Sequence, residues 1–531
     1  MKRPYPEVSV TNTFAKGIEM GGTPWSDGVP GVTQRPIKPS DTFSYKFKAA
    51  QHGSYWYHSH LHDQIQDGLY GAILIRPRGG ISQPFHLIDP RKPSIKAMMR
   101  AERRAHPLIL YDMMRTMSQS KWNIVSKTGV ELTCYDSILF NGKGRIQCLS
   151  ENQMTSNLSP LQKGYLALVP GQKLTDKGCL PAAVIKASLG ADVKDYNKKA
   201  MPEGIFEGCK ETKGSTEVIR TRASWFALDI IGAINFVQGF VSIDGYDMWV
   251  YALDGSYIEP QKVQALAVSS GNRYSVLIKT NRNGKFQIRF RSNNVAQMIT
   301  GNAVLQVGMG SFLQREKPQQ WIDITGNPLS NSVVYFSQEN ARPYPPRPIP
   351  AEADALHLLS MRLDGRTLMW ALNNTPFTPQ ELENIDPPIL FNPQAQVSKQ
   401  DDVTIVTKMG TWVDLVFSST SNMPPHPIHK HGDKMYRIGS GTGLFKWKSV
   451  KNAIKDVPEN FNLINPPIGD TFSSLQTTDR ESWVVMRYQV TSPGAWLLHC
   501  HVNNHVIGGM MMVIIDGLDV WRPIPKKHLK D

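Results

Sequence analysis

Eight of the chain's fourteen histidines fall in three tight groups: His58-Ser-His60, His426-Pro-Ile-His429-Lys-His431, and His499-Cys500-His501 followed by His505. A single histidine is ordinarily a packing or surface residue, but eight in such spacing suit a metal-binding array. In the last group Cys500, His505 and Met510 are separated by four residues each time. With His426 from an earlier strand they supply two imidazoles, one thiolate and a weak axial thioether, the trigonal set that tunes copper for electron transfer. Zinc competes for Cys and His ligands. It is disfavoured here by the single cysteine, the lack of a Cys-x-x-Cys pair and the methionine at axial spacing. Met511 and Met512 adjoin Met510, so spacing alone selects the axial residue, and Met512 is assigned to core packing.

Strand geometry adds a second site. Side chains alternate faces along a strand, so His499 and His501 point one way and Cys500 the other. His429 and His431 share a face, while His426, an odd number of residues away, can turn to the opposite one. His58 and His60 also share a face and can close the second site from an earlier part of the chain. An electron arriving at Cys500 would have only the adjoining backbone to cross.

The elements that must hold these groups read as strands. Short β-branched and aromatic runs alternate with Gly, Pro, Asn and Asp, as in Trp249 to Leu253 before Asp254-Gly255 and Tyr274 to Lys279 before Asn281-Arg-Asn-Gly284. Such patterning predicts antiparallel β-sandwiches. Two stretches read as linkers: Arg76 to Lys96, rich in Pro, Gly and basic residues, and Arg342 to Pro350, with five prolines. They divide the 531 residues into units at 1–80, 100–340 and 351–531, and the lysine-rich stretch from Gln147 to Thr221 reads as a loop insertion in the middle unit.

Composition adds bounds. The formal charge of +14 arises from 59 basic residues against 45 acidic ones, spread along the chain, which fits a solvated basic surface and no nucleic-acid partner. No apolar stretch approaches the ~20 residues of a membrane span. Cys134, Cys148, Cys179 and Cys209 lie in the middle segment and allow up to two disulfides in three connectivities, leaving Cys500 for chemistry. Sequons at Asn157 and Asn373 suggest a secreted glycoprotein, yet no apolar signal region follows Met1-Lys-Arg-Pro, so the compartment stays open.

Tyr55-Trp-Tyr-His-Ser-His60, His426-Pro-Ile-His-Lys-His-Gly432 and His499-Cys-His-Val-Asn-Asn-His505 with Met510 resemble three of the four copper motifs of the multicopper oxidases. Thr23 to Gly31, Asp67 to Gly71 and the stretch from Ser242 through Leu277 extend the resemblance over nearly the whole chain. The His-Pro-Ile-His-Lys-His-Gly form and the closing Asp516-Gly-Leu-Asp-Val-Trp look most similar to fungal laccase-like oxidases of pigment and secondary metabolism. The resemblance implies an all-β fold of three cupredoxin-like Greek-key sandwiches, with a type 1 copper in the last. A type 2/type 3 copper cluster would lie between first and last. By that resemblance His426, Cys500, His505 and Met510 match type 1 ligands. His429 matches a type 2 ligand, and His58, His60, His431, His499 and His501 match type 3 ligands.

The fourth motif, His-x-His before Gly, should come first, and counting back from Asp27-Gly28 places it on Phe14-Ala15-Lys16-Gly17. The resemblance then leaves type 2 copper with His429 alone and one type 3 copper short of a ligand. His62 is a spare histidine that alternation leaves exposed. The first sandwich also reads as truncated at its N-terminus. A displaced reading-frame start or alternative splicing would explain all of this together, and evolutionary loss is the competing account. Asp27 and Asp67 are the candidate proton-handling carboxylates, each also an ordinary turn residue in Asp-Gly, and Asn503 stands where many relatives have an acid. The implied activity is one-electron oxidation of a phenolic or related aromatic substrate, with oxygen reduced to water. Iron is disfavoured as substrate because Asn422-Met-Pro-Pro425, expected to be exposed beside His426, has no acid. A copper-binding protein unable to reduce oxygen is the alternative from a different class.

Overall fold

Strand Gly494–Cys500 is an uninterrupted buried run, as expected of a strand covered on both faces. It is the centre of the sheet whose strands hold His429 and His499 and whose strand ends adjoin His426, His431 and His501. The structure, a computed structural model, describes residues 13–188, 190, 197–308, 317–365, 368–394, 401–477 and 479–528. On one side of Gly494–Cys500 lies Met511–Asp516, and on the other Pro427–Lys430, both antiparallel. The register sets His429 opposite His499 and Ile428 opposite Cys500. Thr404–Val406 and Thr471–Ser473 complete five strands. A six-stranded sheet built around Trp412–Ser419 and Ser482–Gln489 packs its Val413, Leu415 and Tyr488 into one core with Leu497 and Ile514.

The middle region repeats this plan with sheets of six and five strands around a core that includes Leu228, Val250, Ile288 and Leu305. The described part of the first region forms one antiparallel sheet from Thr13–Lys16, Gly53–Ser59 and Tyr70–Ile75. Its register places Phe14 opposite His58 and Lys16 opposite Trp56. The all-β expectation therefore holds. No helix is long and apolar enough to cross a membrane among the described residues.

Two expectations about connecting segments are corrected. Arg76 to Lys96 is not a plain linker, because Lys92–Arg103 is a helix that starts with Pro93 in its first turn and buries Met98 and Ala101. Proline at that position starts helices, and Ile95, Met98 and Glu102 give one inward-facing stripe. Gln147 to Thr221 is likewise more than a loop. It contains helices Glu151–Ser156, Pro160–Ala167 and Ala182–Ser188, the first two opened by capping boxes Ser150/Gln153 and Ser159/Gln162. Disulfide Cys134–Cys179 ties it to the chain before it, Cys148–Cys209 closes it on itself, and together they resolve the connectivity. The expected second linker, Arg342 to Pro350, does run without helix or strand.

Glu102 gives this packing a pH dependence. Burial pushes its carboxyl up to about 7 although Tyr257 Oη donates to it at 2.5 Å and Gln83 Nε2 at 3.1 Å. A carboxyl whose folded pKa exceeds its unfolded value binds its proton more tightly when folded, so stability falls as pH rises from about 4.5 to 7. Glu102→Gln should remove this dependence. The wild type is expected to lose about 1–3 kcal/mol relative to the variant between pH 4.5 and 8, read from urea midpoints at both pH values.

Candidate metal centre

His426, Cys500 and His505 meet in the last sandwich. Cys500 Sγ lies 3.8 Å from His426 Nδ1 and 3.6 Å from His505 Nδ1, and the two nitrogens are 3.0 Å apart. The centre of a triangle with these sides is about 2 Å from each corner, close to ordinary metal–imidazole and metal–thiolate lengths. His426 immediately precedes strand Pro427–Lys430, Cys500 ends its neighbour, and His505 sits on the short helix Asn503–Ile507 that follows. Trp370 lies 4.2 Å from His505 and 5.2 Å from His426, between ring centroids, and walls off one side. Burial holds His426 neutral, with its pKa down at about 4, and pushes the Cys500 thiol up. Met510 is buried next to the group, its carbonyl accepting from the Cys500 N–H at 3.0 Å. This donor set fits one soft-ligand metal ion, and copper is the ion that the set selects.

The other six histidines gather on the far side of Cys500, as alternation required. His60, His431 and His499 offer nitrogens within 4.8 Å of one another, with His431 Nε2 and His499 Nε2 at 3.3 Å. His58 and His501 lie 5.3 Å apart between centroids, and His429 is 5.8 Å from His501. Most of these rings are held through Nδ1. His58 donates to Ser59 O at 2.9 Å, His429 to Asp470 O at 2.7 Å, His499 to Cys500 O at 2.7 Å, and His431 to Asp27 Oδ2 at 2.9 Å. His501 Nδ1 sits 2.9 Å from Ser270 Oγ. Such outer contacts fix the tautomer and leave Nε2 as the ligating atom. Among the described residues, Nε2 of His58, His60, His429 and His501 is buried without a hydrogen-bond partner, so each keeps a free lone pair turned into the cluster. Burial first, and the neighbouring imidazoles and Lys16 second, hold these imidazoles far below their usual pKa.

Phe14 and Lys16 stand inside this cluster. The Phe14 ring stacks on His431 at 3.9 Å and 13°, and meets His58 and His60 edge-on at 5.4 and 5.5 Å. Lys16, fully buried, donates to Thr471 Oγ1 at 2.8 Å and pairs with Asp470 at 3.5 Å. Burial pulls its ammonium down to about 7 against the attraction of Asp470. Burial alone would raise the Asp470 carboxyl, but Arg273 and Lys16 hold it well below its ordinary range.

The carboxylates divide differently from the expectation. Asp27 is buried and holds His431, and burial pushes its pKa well up. Asp67 is not brought to either site. It is exposed, and its two oxygens accept from the Ser118 N–H at 2.8 Å and Ser118 Oγ at 2.6 Å, at the start of helix Ser118–Thr128. The buried acid nearby is Asp63, bonded to Asn503 Nδ2, to Trp122 Nε1 at 2.8 Å and to Lys121 Nζ at 3.2 Å. Asn503 therefore joins a carboxylate even though it is itself an amide. That an amide replaces an acid there was the available signal. His62 is exposed and grips Glu383 at 2.6 Å instead of joining the converging imidazoles.

Two cavities border the sites. One of about 30 Å³, room for roughly one or two waters, touches His58, His60, His499 and His501 and is rimmed by His62 and Glu383. The other, about 570 Å³, reaches Pro425 and Ser474 next to His426. Ser474 Oγ accepts from the His426 N–H at 2.9 Å. Phe240, Tyr274 and Phe336 wall this cavity, and no lining side chain among the described residues is charged. Of the four residues before His426, Asn422 is exposed, Pro424 and Pro425 are half-buried, and Met423 is buried in the core, so the expectation that all four are exposed is corrected.

Known proteins share this arrangement of sequence and fold. Family models described as multicopper oxidase match residues 9–80, 104–309 and 371–519. Multicopper oxidase VdtB of Byssochlamys spectabilis is 35% identical, over 96% of this chain and 76% of its own. Laccase 1 of Metarhizium majus is 35% identical over 98% and 89%, and laccase abr2 of Aspergillus fumigatus 34% identical over 96% and 86%. The fold matches the laccase of Botrytis aclada with a TM-score of 0.66 at 19% identity, over 99% of this chain and 81% of that one. It matches Fet3p, a multicopper oxidase that functions in iron import, with 0.64 at 18%, over 100% and 84%. With three family models along its length and fungal laccases at a third identity over nearly all of it, the chain belongs to the multicopper oxidase family.

Proposed function

We propose that the chain is a laccase-like copper oxidoreductase that takes single electrons from a phenolic or related aromatic substrate, with oxygen as the acceptor. The observation that carries this reading is the His426–Cys500–His505 triangle, with Met510 buried beside it and bonded through its carbonyl to the Cys500 N–H. Copper bound there would supply a reversible one-electron oxidant. The chain's own residues do the rest. Trp370 and the buried β-sheet hold both imidazoles in place, and the uncharged cavity beside Pro425 and Ser474 suits a neutral ring, its ~570 Å³ lying in the range of small-molecule sites. His499 and His501 flank Cys500 in sequence, so one peptide bond on either side joins the two sites.

The test is a reconstituted chain given a phenol without oxygen, then with it. The blue absorption should bleach and then return as oxygen is consumed. Bleaching without return supports the second reading, an electron-accepting copper protein that cannot reduce oxygen, which Phe14 and Lys16 favour. No blue absorption at all would overturn both.

Asp27 gives a graded check. Asn in its place keeps an oxygen for His431 Nδ1 but replaces the carboxyl that orients the ring with a weaker amide acceptor. Asp27→Asn should weaken copper at the His431 position by about 10–100-fold, measured by competition with a chelator, and leave the blue absorption unchanged.

A further inference from the structure

The fourth copper motif would place two more imidazoles in the six-histidine cluster, and their places are taken. Phe14 and Lys16 sit two apart on one strand, so both face the cluster, and Phe14 pairs with His58 across the sheet. The phenyl ring is 1% exposed and lies among four imidazoles: 3.9 Å from His431, 5.4 Å from His58, 5.5 Å from His60 and 5.9 Å from His429. It offers no lone pair, and its volume occupies space that an ion between His429 and its neighbours would need.

Lys16 closes the other side. A Cβ at Gly271 would fall 2.7 Å from Lys16 Cε and 3.0 Å from His501 Cδ2, so the lysine stem runs beside the His501 ring. Its nitrogen is already committed to Thr471 and Asp470. His58 and His501 are left as a two-imidazole pair, and His429, with the phenyl ring at 5.9 Å and the His431 and His499 rings at 5.0 and 5.5 Å, stays outside the one group of cluster nitrogens that converges among the described residues. His60, His431 and His499 still converge within 4.8 Å, with His431 and His499 oriented by hydrogen bonds.

We propose that the histidine cluster of this chain is a single-copper site formed by His60, His431 and His499, and that Phe14 and Lys16 keep the cluster's other metal positions from filling. This rests on the copper reading of the chain. The full chain then holds one blue copper and one ordinary mononuclear copper, where the family pattern implies a blue copper and a cluster of three.

Copper counting with electron paramagnetic resonance tests this, because adjacent coupled copper(II) ions are silent while isolated ones are visible. The wild-type chain, reconstituted with copper alone, should take up about two ions, with essentially all of the copper visible and half of it blue. His60→Ala should remove the non-blue signal and keep the blue one. Phe14→His/Lys16→His, which restores the missing motif, should raise the count toward four and lower the visible fraction. Blue wild-type protein holding three or four ions, or with much of its copper silent, would overturn the single-copper site while sparing the copper reading. Blue protein whose only copper is at Cys500 would likewise overturn it. Wild-type protein that takes up no copper would overturn both. The wild-type count decides the matter even if the double variant fails to fold.

Discussion

Arg273→Met is expected to destabilise the protein by about 3–5 kcal/mol, the range for breaking a buried ion pair from one side. Arg273 has no exposed side-chain surface. Its guanidinium forks onto Asp470 at 2.7 and 2.6 Å and lies 3.4 Å from Asp254, while Nε donates to Ser54 O at 3.1 Å. The side chain thus joins strand Gly53–Ser59 of the first sheet to a turn beside His429 in the last sandwich. Burial opposes the guanidinium charge, and Asp470 with Asp254 more than restores it. Methionine preserves much of the volume but leaves the two buried carboxylates with only the buried lysines Lys16 and Lys434 to offset them among the described residues. The measurement is the urea midpoint of the first unfolding transition. Arg273→Met/Asp470→Leu should recover part of the loss, because removing both charges leaves less unpaired charge behind than removing one. A single variant within about 1 kcal/mol of wild type would mean that water reaches the network and relaxes it.

This network shows where reading the sequence stopped. The His426, Cys500 and His505 group was legible because ligand type and local spacing carry it, and strand alternation placed its neighbours. His429, His431, His499 and His501 turned to the opposite side of Cys500 as a period of two requires. Arg273 and Asp470 are 197 positions apart, and Lys16 and Thr471 are 455 apart. No local period links such residues, so nothing in the sequence pairs Lys16, which stands where a motif histidine is missing, with Thr471 and Asp470. Carboxylates failed for a related reason. Asp27 and Asp67 both occur in Asp-Gly turns, and only the fold sends Asp27 to His431 and Asp67 to the end of a surface helix. The helices between Gln147 and Thr221 were missed although Ser150-x-x-Gln153 and Ser159-x-x-Gln162 are capping boxes, because each helix is too short to display a hydrophobic period.

Cys500→Ser is expected to abolish the blue absorption, lower the copper count by one and reduce aromatic oxidation by more than the about 10–100-fold seen for outer-shell contacts. Serine matches cysteine closely in shape, and the backbone bond from residue 500 to Met510 O does not involve the side chain, so the sandwich should fold. The hydroxyl replaces a group that accepts from the Val502 N–H at 3.4 Å, and a stability loss of about 1–3 kcal/mol covers an imperfectly satisfied buried hydroxyl. What is lost is the soft, ionisable ligand. Burial pushes the Cys500 thiol pKa up, so sulfur carries its proton in the metal-free chain and must release it when copper binds. Copper loading of wild type should therefore release about one proton at the blue site near neutral pH, and this proton should be missing from Cys500→Ser. Calorimetry in two buffers of different ionisation enthalpy reads the difference directly. Proton release equal in both chains would place the thiolate outside the copper site, and persistent blue absorption in the serine variant would do the same. The loss of one proton, one copper and the blue absorption together would assign all three to the sulfur that lies 3.6 and 3.8 Å from the two imidazoles.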